Sequence, residues 1–207
     1  MKNKLSIVLA VRNEESNIAD CLNSVIRIAD EIIIFDEEST DNTVAISKKM
    51  GAKVFIVKHS DNFHKTKQLA LEKAKYPWIL QLDADERVTS ELSAEIVNVI
   101  NMSDQEIKER QFPERKAKLF ARHTKVLIEK GEFKEEGEVV AFLLPRLNMF
   151  LGQPLRYAGV YPDPAIRLVK KGKTRFPVKS VHENMTVNGA TAWLFNDLEH
   201  HDSPTLE

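Results

Sequence analysis

Four short, mostly apolar runs divide the first half of the chain: Leu5 to Val11, Ile32 to Phe35, Lys53 to Val57 and Trp78 to Leu82. Runs of this length without strict polar alternation predict strands buried on both faces, as in a parallel sheet. Between them the apolar positions switch to helical spacing, with Ile18, Cys21, Leu22, Val25 and Ala29 after the first run and Leu69, Ala70 and Ala74 within Lys65 to Lys75. Asn13 is placed to cap the first helix, with Glu14 and Glu15 in its first turn. Ser39, Thr40 and Asp41 offer caps for a second helix that runs to Met50 and stops at Gly51. This alternation implies right-handed crossovers and an α/β fold, a Rossmann-like, mostly parallel sheet flanked by helices. The loops Arg12 to Glu15, Asp36 to Asp41 and Asp83 to Glu86 then gather on one rim, at the carboxyl ends of the strands.

The second half is less regular. Ser90 is placed to cap a helix whose apolar face is Leu92, Ile96, Val99 and Ile100. From Asp104 to Glu138 charges of both signs alternate densely, while Ala117, Phe120, Ala121, Thr124 and Ile128 keep partial helical spacing, which predicts a solvated helix packed on the domain edge. The apolar stretch Phe142 to Gly152 is interrupted by Pro145 and Arg146, so it reads as a core strand rather than a membrane span. Ala165 to Val169 reads as a further strand, closed by the turn Lys171-Gly172-Lys173.

A chain of 207 residues suits a single domain. Its 30 basic and 31 acidic side chains balance to a net charge of −1, which argues against nucleic acid as a partner. A single cysteine, Cys21, excludes an internal disulfide and fits a reducing compartment. Met1 to Lys4 leads straight into the first apolar run rather than into a signal peptide, so the expectation is a cytoplasmic protein.

Candidate chemistry lies where the fourth run ends. Trp78-Ile79-Leu80-Gln81-Leu82 passes directly into Asp83-Ala84-Asp85-Glu86. Side chains alternate along a strand, which predicts Asp83 and Asp85 on one side and Ala84 on the other. Two adjacent carboxylates suit a hard cation, Mg²⁺ or Mn²⁺, and such a cation can hold a diphosphate. No G-x-G-x-x-G follows the first strand and no G-x-x-x-x-G-K occurs anywhere, so dinucleotide and P-loop readings fail. The rim instead carries Glu14, Asp36, Asp41, Asp83 and Asp85, which accept hydrogen bonds from ribose hydroxyls or base N–H groups and repel phosphate unless a cation intervenes.

The segments Ile7 to Glu15, Asp36 to Thr43 and Leu82 to Glu86, followed by Tyr161-Pro162-Asp163, Arg167-Leu168, Val181-His182-Glu183 and His200-His201-Asp202-Ser203, resemble the family 2 glycosyltransferases of GT-A fold. Within that family the likeness is to the bacterial lipopolysaccharide core enzymes of the WaaE type. It covers most of the chain outside about residues 101–140. One departure is Glu37-Glu38, where the family often has Ser-Gly.

The resemblance implies one GT-A domain over residues 1–207. Residues 1–100 form its nucleotide-sugar half, 101–140 a charged helical insertion and 141–207 a smaller acceptor-side region. It implies that Ala10, Val11, Arg12, Glu14 and Asp36 line the base and ribose, that Asp83 and Ala84 approach the ribose or the metal, and that Lys67 sits near the nucleotide. Asp36 also reads as a helix cap or turn former, and Lys67 as a solvated helix residue. The metal set is Asp85 as main ligand with Asp83 and His200, and His201 is the alternative histidine. Glu183 is the candidate general base, with Asp163 competing.

The implied activity is inverting transfer of a sugar from a nucleotide donor, a UDP-sugar in the first instance, to a glycan or lipid-linked acceptor of the cell envelope. Work on such an acceptor implies peripheral membrane contact at the inner face. The likeness also implies further residues beyond His200 to Ser203, whereas this chain stops at Glu207. A nucleotidyltransferase would carry a basic, glycine-rich first loop, which is absent, and a non-catalytic nucleotide-sugar binding protein remains the alternative.

Overall fold

The computed structural model describes residues 2–157, 159–177 and 185–203. The first half folds as strand and helix in alternation: β1 (Leu5–Val11), α1 (Ile18–Val25), β2 (Glu31–Asp36), α2 (Thr43–Lys49), β3 (Lys53–Ile56), α3 (Phe63–Lys73) and β4 (Trp78–Leu82). These four strands are mutually parallel in the order β3-β2-β1-β4. Every residue of β1 and β4 is buried, because helices cover both faces of the sheet. Successive residues of β1 feed different cores. Ile7 and Leu9 pack with Ile18, Leu22 and Leu92, whereas Val8 packs with Ala70, Leu71 and Phe120 on the other face.

Helix starts differ from the capping expectations. Asn13 takes a left-handed backbone (φ 54°) and its side chain serves another loop, so α1 starts a turn later, behind Asn17. Asn62 caps α3, accepting from His64 N, so that helix begins before Lys65. Thr89, not Ser90, caps the helix that follows β4. Asn62 and Thr89 each supply the capping oxygen, whereas Asn17 makes no side-chain cap.

The second half contributes β5 (Glu86–Val88), α4 (Ser90–Val99), α5 (Asp104–Glu109), α6 (Ala117–Glu129), β6 (Val139–Phe150), β7 (Gln153–Pro154), β8 (Asp163–Lys170), β9 (Thr174–Arg175), β10 (Thr186–Val187), β11 (Ala190–Trp193) and β12 (Leu198–Ser203). The sheet continues from β4 through β8, β6 and β12 to β5, with β7 and β11 also on β6. Here it is mixed. Strand β8 runs antiparallel to both β4 and β6, and β12 runs parallel to β6 and antiparallel to β5. The mostly parallel sheet expected from the sequence is thus present, with β8, β7 and the β12–β5 pair as its antiparallel parts.

The charged insertion is held chiefly by aromatic side chains, Phe120 and Phe133 buried and Phe112 packed beside them. Phe120 of α6 is fully buried, with its ring 4.8 Å from Trp193 and 5.6 Å from Phe112. Among the described residues, no helix is long and apolar enough to cross a membrane.

These directions decide where chemistry can occur. The carboxyl ends of β1, β2, β4, β6 and β12 and the amino end of β8 all meet at one edge, with Arg146 opposite both Asp163 and Leu198 and His200 opposite both Asn148 and Glu86.

Candidate active site

The loops after β1 and β2 are laced together. Asn13 N donates to Ser39 Oγ at 2.8 Å, and Asn13 Oδ1 accepts from Thr40 N at 2.8 Å. Glu14 N donates to Thr43 Oγ1 at 2.7 Å, and Glu15 N to Asp41 Oδ2 at 3.0 Å. Asp36 is buried, and its two oxygens accept from Ser39 N (2.9 Å) and Ser39 Oγ (2.5 Å), so it does form the turn. Each oxygen keeps a second lone pair for a ligand hydroxyl. Ala10 and Val11 are buried beneath these loops, and Arg12 is exposed.

The two glutamates that depart from the family pattern have separate roles. Glu38 occupies the glycine position and adopts the glycine conformation, with φ 55°. Glu37 is fully buried and accepts from Thr66 Oγ1, His59 Nδ1 (2.7 Å) and Ser60 N (3.3 Å). The other nitrogen of His59 lies 3.1 Å from Arg12 Nη1, so a buried carboxylate steadies the first loop through a histidine.

Asp83, Ala84 and Asp85 lie in a turn between β4 and β5, closed by Glu86 N donating to Asp83 O at 3.1 Å. The alternation expected of a continuing strand therefore does not apply, and the two aspartates meet different partners. Asp83 Oδ1 is 2.5 Å from Lys67 Nζ, and Asp83 Oδ2 is 2.7 Å from Arg167 Nη2. Burial pushes the Asp83 carboxyl up, but Arg167 and then Lys67 overcome it and hold it well below the usual carboxylate range. Lys67 is only 14% exposed in its side chain, so it is a partner of the rim rather than a solvated helix residue. Ala84 is buried in the core.

Asp85 is treated differently. Its Oδ2 lies 3.4 Å from His200 Nε2, while its Oδ1 is buried without any hydrogen-bond partner. Burial opposes ionisation of both groups. Against it, the His200 contact keeps the Asp85 carboxyl low, and the same contact raises the His200 imidazole. His200 Nδ1 faces Asn148 Oδ1 at 2.8 Å, which orients the ring, whereas His201 turns to Glu199 at 3.2 Å. Glu14 is raised by burial, then by the charges of Asp85, Asp83 and Asp41.

A buried carboxylate oxygen with no donor, beside an imidazole, fits a hard cation that takes its remaining ligands from a diphosphate. Among the described residues no cluster of three or more His, Cys, Asp or Glu side chains could hold a metal by itself.

Asp163 Oδ2 is 2.5 Å from Arg146 Nη2, and Arg146 Nη1 lies 3.8 Å from Glu86, which brings Asp163 to the same rim. Glu183 lies outside the described residues. The sequence reading passed over Gln81, Glu86, Arg146, Asn148 and Arg167 as site residues. A signal for the arginines was present: each interrupts an apolar strand, and a charge buried there needs partners.

A family model described as glycosyl transferase family 2 matches residues 6–151. An uncharacterized glycosyltransferase of Rickettsia typhi is 42% identical over 103 residues, covering 50% of this chain and 35% of that protein. The lipopolysaccharide core biosynthesis glycosyltransferase LpsC of Rhizobium meliloti is 26% identical over 190 residues, covering 89% of this chain and 58% of that protein. The chain spans about a third of the length of the rickettsial relatives it matches. Glucosyl-3-phosphoglycerate synthase from Mycobacterium tuberculosis, solved with Mn²⁺, UDP and glucosyl-3-phosphoglycerate, aligns with a TM-score of 0.37 and 24% identity over 41% of this chain and 34% of that one.

Proposed function

Since the chain belongs to glycosyl transferase family 2, we propose that its α/β sheet is of GT-A type and that it moves a sugar, with inversion, from a nucleotide-diphosphate donor to a hydroxyl of a glycan or lipid-linked acceptor. The observation that carries this reading is the buried, unpartnered Oδ1 of Asp85 beside His200, on the edge where the strand ends meet. Asp85 and His200 would hold Mg²⁺ or Mn²⁺ together with the donor's diphosphate, and the bound cation would neutralise the charge that grows on the leaving group.

The remaining roles fall to the chain's own groups. The loop Ala10 to Glu14, including Val11 and Arg12, and the carboxylate of Asp36 line the base and ribose, with Asp83 and Ala84 at the ribose edge. Lys67, paired with Asp83, lies at the diphosphate side. The acceptor oxygen attacks the anomeric carbon as the bond to the diphosphate oxygen breaks, and the nucleotide leaves with the electron pair. The hydroxyl proton passes to a carboxylate, a contribution of about 10²–10⁴ in rate. Glu183 is the first choice for that base. Asp163 is the second, because one of its oxygens is already held by Arg146. A UDP-sugar donor, an acceptor in the cell envelope and work on the cytoplasmic side, with peripheral contact to a lipid-linked acceptor, complete the reading, and the likeness to LpsC supports the envelope acceptor.

The test combines thermal shift and turnover. UDP with Mn²⁺ is expected to stabilise the protein more than either alone, and nucleotide diphosphate to be released from a UDP-sugar when an acceptor is supplied. Glu183→Gln is expected to abolish release and preserve UDP binding. Binding without turnover across a broad acceptor panel would support a nucleotide-sugar binding protein instead. No response to any nucleotide diphosphate, with or without Mn²⁺, would overturn both.

A further inference from the structure

The carboxylates Asp83, Asp85, Glu86 and Asp163 share the rim with the cations Arg167, Arg146, Lys67 and Arg87, the last donating to Ala84 O at 2.6 Å. The cations are not spread evenly. Arg167 is buried, and all three of its nitrogens are engaged. Nε donates to both oxygens of Glu86 (3.1 and 3.0 Å), Nη1 to Gln81 Oε1 (2.8 Å), and Nη2 to Glu86 Oε1 and Asp83 Oδ2 (2.7 Å each). Glu86 in turn accepts from Asp83 N at 3.0 Å. Asp83 is therefore held at two points by one buried pair, through its backbone by Glu86 and through its carboxylate by Arg167. Asp85 receives no hydrogen bond from this clamp: its Oδ2 faces His200 and its Oδ1 has no donor.

We infer that Arg167 is a positioning residue that withholds Asp83 from the cation and leaves Asp85 as the one carboxylate of the Asp83-Ala84-Asp85 turn free to take it. The inference rests on the metal-assisted reading above. Without such a device, two aspartates in one turn would compete for the same ion, and a cation chelated by both would have fewer positions open for the donor's diphosphate. Lys67 cannot provide the device alone, because it approaches Asp83 Oδ1 from a helix on a flexible stem. The planar fork of Arg167 fixes distance and direction together, and a lysine at this position keeps the charge while losing the fork.

Arg167→Lys is the informative variant, because any change in cation affinity cannot then be assigned to a lost positive charge. Mn²⁺ binding to the nucleotide-free protein, measured by electron paramagnetic resonance titration, is expected to tighten by about fivefold in Arg167→Lys as Asp83 is released. The extra stabilisation that UDP gains from Mn²⁺ is expected to shrink, and kcat to fall by more than KM changes. The double variant Arg167→Lys, Asp83→Asn is expected to return Mn²⁺ affinity to the wild-type level.

Unchanged or weaker Mn²⁺ binding in a folded Arg167→Lys protein, with wild type binding normally, would overturn this inference and leave the proposed function standing. If Arg167→Lys does not fold, Asp83→Asn in the wild-type background carries the test: it is expected to weaken Mn²⁺ binding far less than Asp85→Asn does, and an equal loss in the two variants overturns the inference. Tightening that survives Asp83→Asn overturns the inference. Absence of any Mn²⁺ effect in wild type, with UDP present, would remove the proposed metal chemistry and this inference with it.

Discussion

His200 Nε2 stands 3.4 Å from Asp85 Oδ2, and the opposite nitrogen of the same ring is fixed 2.8 Å from Asn148 Oδ1. The histidine comes from β12, the aspartate from the turn after β4 and the asparagine from β6, so the arrangement exists only once the sheet is assembled. It leaves Asp85 Oδ1 as a buried acceptor with no donor, a costly state unless a ligand completes it. Asp85→Asn is expected to abolish the Mn²⁺-dependent part of UDP stabilisation, about 2.7 kcal/mol at a ligand concentration a hundredfold above Kd. His200→Ala is expected to remove part of it, and an undiminished shift by differential scanning fluorimetry in Asp85→Asn would refute the assignment.

Glu37 is itself buried and gathers three donors, from buried Thr66 and from the partly exposed His59 and Ser60. Glu37→Ala leaves them unsatisfied, and a loss of about 1–3 kcal/mol in urea unfolding is expected. Because His59 also steadies Arg12, nucleotide affinity is expected to weaken in the same variant.

Glu38 holds a left-handed backbone that costs a residue with a Cβ about 1–2 kcal/mol relative to glycine. Its side chain offsets part of this by accepting from His59 N at 3.2 Å. Glu38→Gly is therefore expected to raise stability by up to about 1 kcal/mol, whereas Glu38→Val is expected to lower it. Equal melting temperatures for the two variants would contradict this account.

Asp104 ties the insertion to the sheet, accepting from Val139 N at 2.5 Å and pairing with Lys108 at 2.9 Å. Slight burial pushes its carboxyl up, but the Lys108 ammonium and the Val139 N–H prevail and hold it below its ordinary value. The folded state thus favours the ionised form. Its contribution is present above the unfolded carboxylate range, about pH 3.9, and is lost as pH falls through the depressed folded value. Melting curves of wild type and Asp104→Asn should differ most above about pH 4 and converge on further acidification.

Phe120 and Leu127 are the buried residues of α6, with Phe120 fully covered. Phe120→Ala is expected to cost about 3–5 kcal/mol in chemical unfolding, whereas Lys118→Ala and Arg122→Ala on the exposed side should each change stability by less than about 0.5 kcal/mol.

Much of the first half was legible from period alone. The runs at Leu5, Ile32, Lys53 and Trp78 became the four parallel strands, because a short apolar run between amphipathic helices has one efficient way to bury both its faces. In the second half the main helices and strands were legible but their directions were not, because β8 enters the sheet antiparallel beside β4 after a long excursion, and the hydrophobicity of Ala165 to Val169 is the same for either direction. Caps were displaced by a few residues where neighbours such as Thr89 and Ser90 compete for one helix start. The Glu37-Glu38 departure was visible as a lost glycine, but the sequence could not say that the backbone keeps the glycine's conformation.

By itself, then, the chain's order of residues determined that strands and helices alternate and that Asp36, Asp83 and Asp85 lie where strands end, because period and local chemistry reach only a few positions along a backbone. Only the tertiary structure decided which of these acids is bound and which is free. Arg167 lies 84 residues from Asp83 in sequence and 2.7 Å away in space. Ion pairing in a buried rim depends on side chains that meet across the sheet, and no local pattern encodes which ones will meet.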